Sequence, residues 1–561
     1  MRVSLLFIVA QLFFLSCKEK AVSVSSVNKY DCGMVVSAHS EASNAGAAIM
    51  KMGGNAFDAA IATHFALAVT YPVAGNIGGG GFAVIRTAEG ENLALDFREI
   101  APMAYMADVF LDSAGNADRN KSLSSVFAAG VPGAVEGMWQ LHQKFGEIDW
   151  NQLIQPSIKL AEKGFTLTKA HAERLNYFKS EFIKLNDSNH LFLNEKAWAK
   201  GDVIKQSKLA ELLKIVAQKG RDGFYEGKHA QDLADFVQSK GGLMTVDDLK
   251  NYEAKWRTAY EFDFEDWHLI SMPLPSSGGI LMHQILKMIE ILDINVKALK
   301  RSEYVHLISE LERRAYADRS KHLGDSDFWN VNLKELVDDE YLKSRLEGLN
   351  MEKASKSDSI APGVLPYESM ETTHFSVVDN HGNAVGITTT VNAAYGSKIF
   401  VPEYGYVLNN EMDDFSSKPG VPNQFGLLGS EANKVEGGKR PLSSMTPTIV
   451  LKQDELKSVI GSPGGSTIIT TVLQTVLNNT TLELDIESSV ENGRFHHQWQ
   501  PDRIVLEKRS IDSALVNSLI QKGHSIDTFG QLGNVNAIEI KQGKLYGAAD
   551  TRAENAIAKS K

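Results

Sequence analysis

The chain changes texture once, near residue 370, and any fold for it must join a helical first part to a strand-rich second part. Residues 135–350 are mostly helical in pattern, with polar faces. Local punctuation falls at Gly130-Val131-Pro132-Gly133 and Pro273-Leu274-Pro275-Ser276-Ser277-Gly278-Gly279. Met351 to Tyr367 is rich in Ser, Lys and Asp and holds two prolines, the composition of an exposed, flexible connector. From Thr373 onward, β-branched runs alternate with Gly-rich turns, as in a series of strands. No internal repeat is evident.

The strand-rich part opens on Glu371-Thr372-Thr373-His374, and two β-branched runs then flank Asn380-His381-Gly382. A three-residue hairpin loop commonly needs its last residue in the left-handed region, which Gly382 supplies. That register sets Asp379 opposite Asn383 and, counting outward, Thr372 opposite Thr390. Directly opposed side chains share one face with β-carbons about 5 Å apart, and Asn392 is the next neighbour on that face. A slip of one residue would turn all three away. A neutral hydroxyl is a poor nucleophile without a base, but a threonine at a chain terminus carries its own, an α-amine with a pKa of roughly 7.7–8.0. Such a terminus requires a cut between Glu371 and Thr372, where the polar connector meets the first strand. Taken alone, the hairpin fits the plainer reading better, because threonine suits any pleated surface.

The first sixteen residues stand apart. Arg2 precedes an apolar run from Val3 to Leu15, broken only by Ser4 and Gln11. The run is too short to span a bilayer and suits the apolar core of a signal peptide, assigned here to residues 1–16. Ser16-Cys17 then resembles a bacterial lipobox, with Phe14 where that motif usually has leucine; an ordinary secretory signal is the alternative. Residues 17–30 are expected to form a polar tether, lipid-anchored at Cys17. The expected location is exported, either periplasmic or held on a bacterial membrane through the lipid only. No later stretch is long and apolar enough to span, so the rest is expected to be soluble. With Cys17 lipidated, Cys32 is the only free thiol and no disulfide can form.

Composition excludes several classes. Two cysteines cannot build a disulfide scaffold or a Cys-based zinc site. A net charge of −11 argues against nucleic acid as a partner. A length of 561 residues would on average make about four domains. There is no His-Glu-x-x-His helix and no Gly-x-Ser-x-Gly elbow. His496-His497 would point to opposite faces of a strand, which suits a structural role better than a shared metal. Neither a metal nor a cofactor is expected.

Ala42 to Met52 reads as a helix stopped at Gly53-Gly54, and Asn55 can cap a second helix from Phe57 to Val69. His64 within it reads as a buried, hydrogen-bonded core histidine. The run Gly75-Asn76-Ile77-Gly78-Gly79-Gly80-Gly81 leads into a strand and lacks the Lys-Ser/Thr of a phosphate loop. It is therefore read as backbone that must approach something closely. Gly461-Ser462-Pro463-Gly464-Gly465-Ser466 precedes a helical run from Ile468 to Leu477, and consecutive glycines there can expose N–H groups as an oxyanion hole, or simply make a tight turn. Asn409 to Phe415 offers carboxylates for an ammonium, or a solvated acidic turn. Pro441-Leu442-Ser443-Ser444-Met445 offers hydroxyls for a carboxylate.

Together these segments resemble the γ-glutamyltransferase (γ-glutamyltranspeptidase) family of N-terminal-nucleophile hydrolases, from about Ala38 to Arg552. Further markers are Asp96-Phe97-Arg98-Glu99, Ala317-Asp318-Arg319-Ser320, Gly493 to Trp499 and Tyr546-Gly547-Ala548. The resemblance implies an α+β fold, a four-layer αββα sandwich formed jointly by two subunits. It implies self-cleavage between Glu371 and Thr372 into a large subunit, residues 31–371, and a small catalytic subunit, residues 372–561, that stay together as a heterodimer. Thr372 would attack the γ-carbonyl of glutathione or another γ-glutamyl compound, assisted by Thr390, with Gly464 and Gly465 donating to the oxyanion. Arg98, Ser443 and Ser444 would hold the donor's α-carboxylate, and Glu411, Asp414 and Asn392 its α-ammonium. Water, an amino acid or a short peptide such as a dipeptide would accept the acyl group. Pro422 to Arg440 matches a lid over the site in some bacterial members, with Phe425 where a gating tyrosine is expected. Two other classes compete. A cephalosporin-acylase-like amidase would have no need of Glu411 and Asp414, and a non-catalytic lipid-anchored binding protein would have no need of Thr372 and Thr390.

Overall fold

Asp379 organises the middle of the molecule. Its Oδ1 accepts the backbone N–H groups of His381, Gly382 and Asn383 at 2.9–3.0 Å, and Gly382 takes the left-handed φ of 101°. Its Oδ2 accepts from the backbone N of Ala56, the first residue of a helix, at 3.0 Å. The turn so fixed joins strands Thr373–Val378 and Ala384–Thr390 in the expected register, Val378 opposite Ala384 and Thr373 opposite Thr389. Both strands are buried throughout, which requires cover on both faces. Phe375, Val377, Val385 and Ile387 face one apolar cluster, while His374, Ser376 and Thr388 alternate to the other side.

The computed structural model describes residues 29–186, 190–360, 372–424 and 426–561. The hairpin is the centre of a seven-stranded antiparallel sheet, in the order Ile557–Ser560, Met34–Ser37, Thr373–Val378, Ala384–Thr390, Gly80–Arg86, Asn92–Phe97, Lys255–Thr258. A six-stranded antiparallel sheet packs on its inner face, in the order Lys544–Ala549, Asn536–Lys541, Glu455–Ile460, Thr448–Lys452, Trp267–Ser271, Tyr260–Phe264. Helices Ser40–Lys51, Ala56–Thr70, Ala134–Phe145 and Trp150–Lys163 belong to the cluster on the outer side of the first sheet. Gly278–Ile291, Arg301–His322 and Thr467–Asn479 belong to the cluster around the second. The architecture is α+β in four layers, helix, sheet, sheet, helix.

Local signals placed several elements well. Asn55 caps Ala56–Thr70 by accepting from Phe57 and Asp58, and Asp58 returns the bond to the Asn55 N–H. That helix is buried on every face, as its unbroken apolar sequence requires. His64 is buried within it, but neither ring nitrogen has a partner among the described residues, so the expected hydrogen bond is absent. Its ring lies instead among those of Phe65, Phe97 and Phe375.

Other expectations need correction. The first part of the chain is not simply helical: it supplies Met34–Ser37, Asn92–Phe97 and the run of three strands from Lys255 to Ser271. Both sheets therefore mix strands from before and after residue 370, and Met34–Ser37 is bonded on one side to the last strand of the chain. The four domains suggested by length give way to interleaved layers. The connector is exposed only in part where it is described: Glu352, Lys353, Lys356, Asp358 and Ser359 are exposed, but Ala354 and Ser357 are not. Ser357 is fully buried, its N–H bonded to Asp502 and its carbonyl to the Trp499 indole. Residues 1–16, Cys17, Glu371 and Phe425 lie outside the described residues. Among the described residues Cys32 is a free, half-buried thiol, and no helix is long and apolar enough to cross a membrane.

Buried histidines give the fold a pH dependence. Burial pulls the pKa of His64, His229 and His497 down to about 4, and of His374 and His496 to about 3. The same imidazoles titrate near 6.5 in an unfolded chain, so below about pH 6.5 the unfolded state binds more protons. Their stabilisation is complete above that pH and shrinks as pH falls toward the folded values, by up to ~1.4 kcal/mol per pH unit for each. Melting temperatures measured from pH 7 to 5 should fall progressively, and a flat profile would contradict the assignment of these residues as neutral.

Candidate active site

The hairpin's open end lies at the edge of the space between the two sheets. Thr372 precedes the first strand and Thr390 ends the second, and their hydroxyl oxygens are 3.4 Å apart. The Thr390 Oγ1 also accepts the backbone N–H of Asn392 at 2.8 Å, from a residue whose φ of 72° is one that asparagine tolerates. Asn392 donates its side-chain amide to the carbonyl of Asn410 at 2.9 Å, tying the strand end to the acidic turn.

The Gly-rich run explains how this end packs. Strand Gly80–Arg86 pairs with Ala384–Thr390, bringing Gly80 opposite Thr390. A β-carbon on Gly79 would collide with the Thr390 carbonyl oxygen, and one on Gly81 with that of Thr388. The close approach expected from the glycines is to the strand that carries Thr390.

The acidic turn is buried, contrary to a solvated loop. Asn409 anchors it by donating to the carbonyls of Gly78 and Gly130, both at 2.9 Å, and accepting from Gly130 N. Glu411 and Asp414 converge on Arg98, which donates Nη1 to Glu411, Nη2 to Asp414 at 2.6 Å and Nε to the Pro441 carbonyl at 3.3 Å. Burial opposes the Arg98 cation, but Glu411, Asp414 and Glu99 outweigh it and hold the guanidinium firmly protonated. Burial raises the Glu411 pKa to about 8 against the pull of Arg98, and burial followed by the charge of Glu411 raises Glu99 well above the carboxylate range. Asp413 faces away, accepting from Ser122 and from the N–H of Gln424 at the start of the expected lid. Asn423 and Asn433 of that segment donate to Asp414.

Ser443 and Ser444 sit on a strip pinned to Pro275–Ser277. Ser443 N donates to the Pro275 carbonyl at 2.8 Å, and the Ser277 N–H and hydroxyl both donate to the Ser443 carbonyl. Gly464 and Gly465 lead into helix Thr467–Asn479 with φ of 140° and 55°, conformations that need glycine. Among the described residues neither of their N–H groups has an acceptor, as an oxyanion hole requires.

One small cavity is lined by Thr372, Thr390, Asn392, Arg98, Glu411, Asp414, Ser443, Ser444 and Gly465. All the expected site residues that are described therefore converge there, except Gly464, which adjoins its wall. Leu427, from the expected lid, lines it too. A model of the family described as Gamma-glutamyltranspeptidase matches residues 42–560. The chain belongs to the γ-glutamyltranspeptidase family. It is 45% identical over 525 residues to a glutathione hydrolase proenzyme of Escherichia coli, spanning 93% of this chain and 90% of that one. A glutathione hydrolase proenzyme of Bacillus subtilis is 36% identical over 93% and 91% of the two chains. The crystal structure of Helicobacter pylori γ-glutamyltranspeptidase superposes with a TM-score of 0.56 at 40% identity, covering 58% of this chain and 94% of that one. A cephalosporin acylase from Bacillus halodurans superposes with a TM-score of 0.84 over 94% and 96% of the chains; at 23% identity this shows the fold alone.

Two residues that line or abut this γ-glutamyltranspeptidase cavity had no role assigned from sequence. Arg319 lines it, and Glu99 lies behind Arg98 with neither carboxylate oxygen partnered among the described residues. Both stood inside recognised motifs, but their side-chain partners are distant in sequence. Among the described residues, His306, Glu310 and His524 form the one group spaced like metal ligands. Its groups are already engaged: Glu310 pairs with Arg314, and the imidazoles bond each other at 2.7 Å. His496 and His497 take separate partners, His496 bonding Thr470 and Gln498, and His497 lying 3.5 Å from Asp502. Gly79→Ala should destabilise the fold by roughly 1–3 kcal/mol through overpacking. It should also lower turnover by displacing Thr390; denaturant titration alongside an activity assay checks both, and a variant unchanged in each would refute the packing account.

Proposed function

We propose that the chain is a γ-glutamyltransferase and glutathione hydrolase that matures by cutting itself before Thr372. The observation that carries this is the Thr372–Thr390 pair opening into a cavity whose walls hold both an acidic and a cationic group for an amino acid's two charges. The relatives named above as proenzymes support the cut, and so does the length of the Helicobacter pylori chain, which covers 58% of this one.

In the first step the Thr372 hydroxyl adds to the Glu371 carbonyl carbon, the Glu371–Thr372 C–N bond breaks with the hydroxyl proton passing to the leaving nitrogen, and water hydrolyses the resulting ester. This frees the Glu371 carboxylate and the Thr372 α-amine. In turnover that amine accepts the hydroxyl proton while Oγ1 attacks the donor's γ-carbonyl carbon. Negative charge develops on the carbonyl oxygen, which the Gly464 and Gly465 N–H groups would receive. The amine product leaves with the proton, and a γ-glutamyl ester remains on Thr372. Water then yields glutamate, or the amine of an amino acid or short peptide yields a new γ-glutamyl amide. Thr390 accepts from Asn392 N, and its hydroxyl oxygen lies 3.4 Å from that of Thr372, where either can donate to the other. The donor's ammonium fits Glu411 and Asp414 and its carboxylate fits Arg98, Ser443 and Ser444; these pairings would replace the Arg98–carboxylate contacts with like-for-like charges.

A lid over residues 422–440 and a heterodimer of residues 31–371 and 372–561 complete the proposal, as does export with a lipid at Cys17. The apolar leader and the small residue before Cys17 support export, and a Cys17→Ser variant should move from the membrane fraction to the soluble one. N-terminal sequencing of the smaller fragment should return Thr372-Thr373-His374, and Thr372→Ala should stay full length. Mature protein should release nitroaniline from γ-glutamyl-p-nitroanilide and much less from the glutaryl anilide, which lacks the ammonium. Preference for the glutaryl compound would instead indicate a free-acid acylase.

A further inference from the structure

We propose that Gln498 is a positioning residue for the oxyanion hole: its side-chain oxygen holds Ser466, and through Ser466 it sets where the Gly465 and Gly464 N–H groups point. This rests on the γ-glutamyl reading above, in which those two groups receive the charge that develops on the donor's carbonyl oxygen. Gln498 stands in the stretch Gly493 to Trp499, which has no part in the reaction as described above. It is 32 residues from Ser466 in sequence, yet its Oε1 accepts the Ser466 hydroxyl at 2.6 Å. Both side chains are buried.

The two glycines do not fix their own direction. At φ of 140° and 55° they occupy backbone regions where glycine has most freedom, so a constant geometry needs outside contacts. Those contacts fall on either side of Gly465. The Gly464 carbonyl accepts from the Thr467 N–H at 3.0 Å and from the Thr467 hydroxyl at 2.8 Å, which fastens the first glycine to the helix. Ser466 is fastened by its hydroxyl to Gln498 and by its carbonyl to the Tyr316 hydroxyl. Gly465 lies between the two clamps.

Gln498 is itself held from both ends. Its Nε2 donates to the Gln500 carbonyl at 3.1 Å, so the amide must face Ser466 with its oxygen. The same oxygen lies 2.8 Å from His496 Nε2, which must therefore carry a proton and donate it. Burial keeps that imidazole neutral, with a pKa pulled down to about 3, so its Nδ1 accepts the Thr470 hydroxyl at 2.9 Å. Thr470 belongs to helix Thr467–Asn479, into which the two glycines lead. The contacts thus close into a ring, from the glycines through Ser466, Gln498, His496 and Thr470 back to the helix. Gln474 of that helix also donates to the Phe495 carbonyl at 2.7 Å. Removing the Gln498 oxygen takes the acceptor from the Ser466 hydroxyl, while the helix keeps its hold on the strand through Gln474.

The test uses mature wild type, Gln498→Ala and Ser466→Ala, with γ-glutamyl-p-nitroanilide as donor and two inhibitors. Glutamate binds without forming a tetrahedral centre, whereas its γ-boronic acid analogue forms an adduct with Thr372 that places an oxygen where the oxyanion develops. Removing an oxyanion donor outright costs about 100-fold or more in kcat, so misdirecting one should cost about tenfold. Both formation and breakdown of the ester pass through an oxyanion, so kcat reports the loss whichever step limits it. Gln498→Ala should therefore lower kcat about tenfold with the donor's KM within about twofold. It should weaken the boronate about tenfold and glutamate about twofold or less, since only the adduct calls on the N–H groups. Ser466→Ala should show the same split, and the double variant should lose little more than either single one, because both cut one bond. Boronate and glutamate affinities that shift together or not at all overturn the proposal, as do losses that add. If Gln498→Ala stays full length or melts early, Ser466→Ala decides, and an unchanged ratio of the two inhibitors there overturns it equally. Wild type that releases no nitroaniline would sink the γ-glutamyl reading itself, whereas turnover with an unmoved inhibitor ratio sinks only the role of Gln498.

Discussion

The Asp379 carboxylate holds three N–H groups of its own turn and one from the start of helix Ala56–Thr70, and the central hairpin's register follows from that contact. Because side chains alternate along a strand, a one-residue slip would turn Thr372 and Thr390 to the helical side and leave the inter-sheet space with apolar groups. The rest of the site is arranged around this register. Glycines at 79 and 81 let the neighbouring strand close on the Thr390 end, Asn392 caps that end, and Asn409 and Asn410 suspend the acidic turn from it.

The cavity is a place where charges are buried together instead of solvated. Arg98 with Glu411 and Asp414, and Arg319 with Ser277 and Ser444, lie close together around one small volume. Low dielectric strengthens such pairs and penalises any group left alone. Burial and the neighbouring Glu411 keep the Glu99 carboxyl protonated, so it adds no charge to that balance.

Much of this was legible in local patterns. The turn at Asn380-His381-Gly382 predicted the hairpin and its register, Asn55 predicted a helix start, and the glycines before residue 82 predicted a close approach. Strands such as Asn92–Phe97 and Lys255–Thr258 were harder to see, since they are short and their pairing partners lie far along the chain. Ser357 shows the same limit from the other side. Its polar neighbourhood reads as a loose connector, yet Arg313, Asp502 and Trp499 bury it.

The sequence by itself determined the hairpin that sets Thr372 opposite Thr390, the family and the four-layer fold, because turn chemistry and ordered motifs are short-range signals. Only the tertiary structure decided how the charges are shared. Which partners Arg98 and Arg319 take depends on Glu411, Asp414, Ser277 and Ser444, brought together from separate segments of the chain. Electrostatic pairing acts through space, and no local pattern records it.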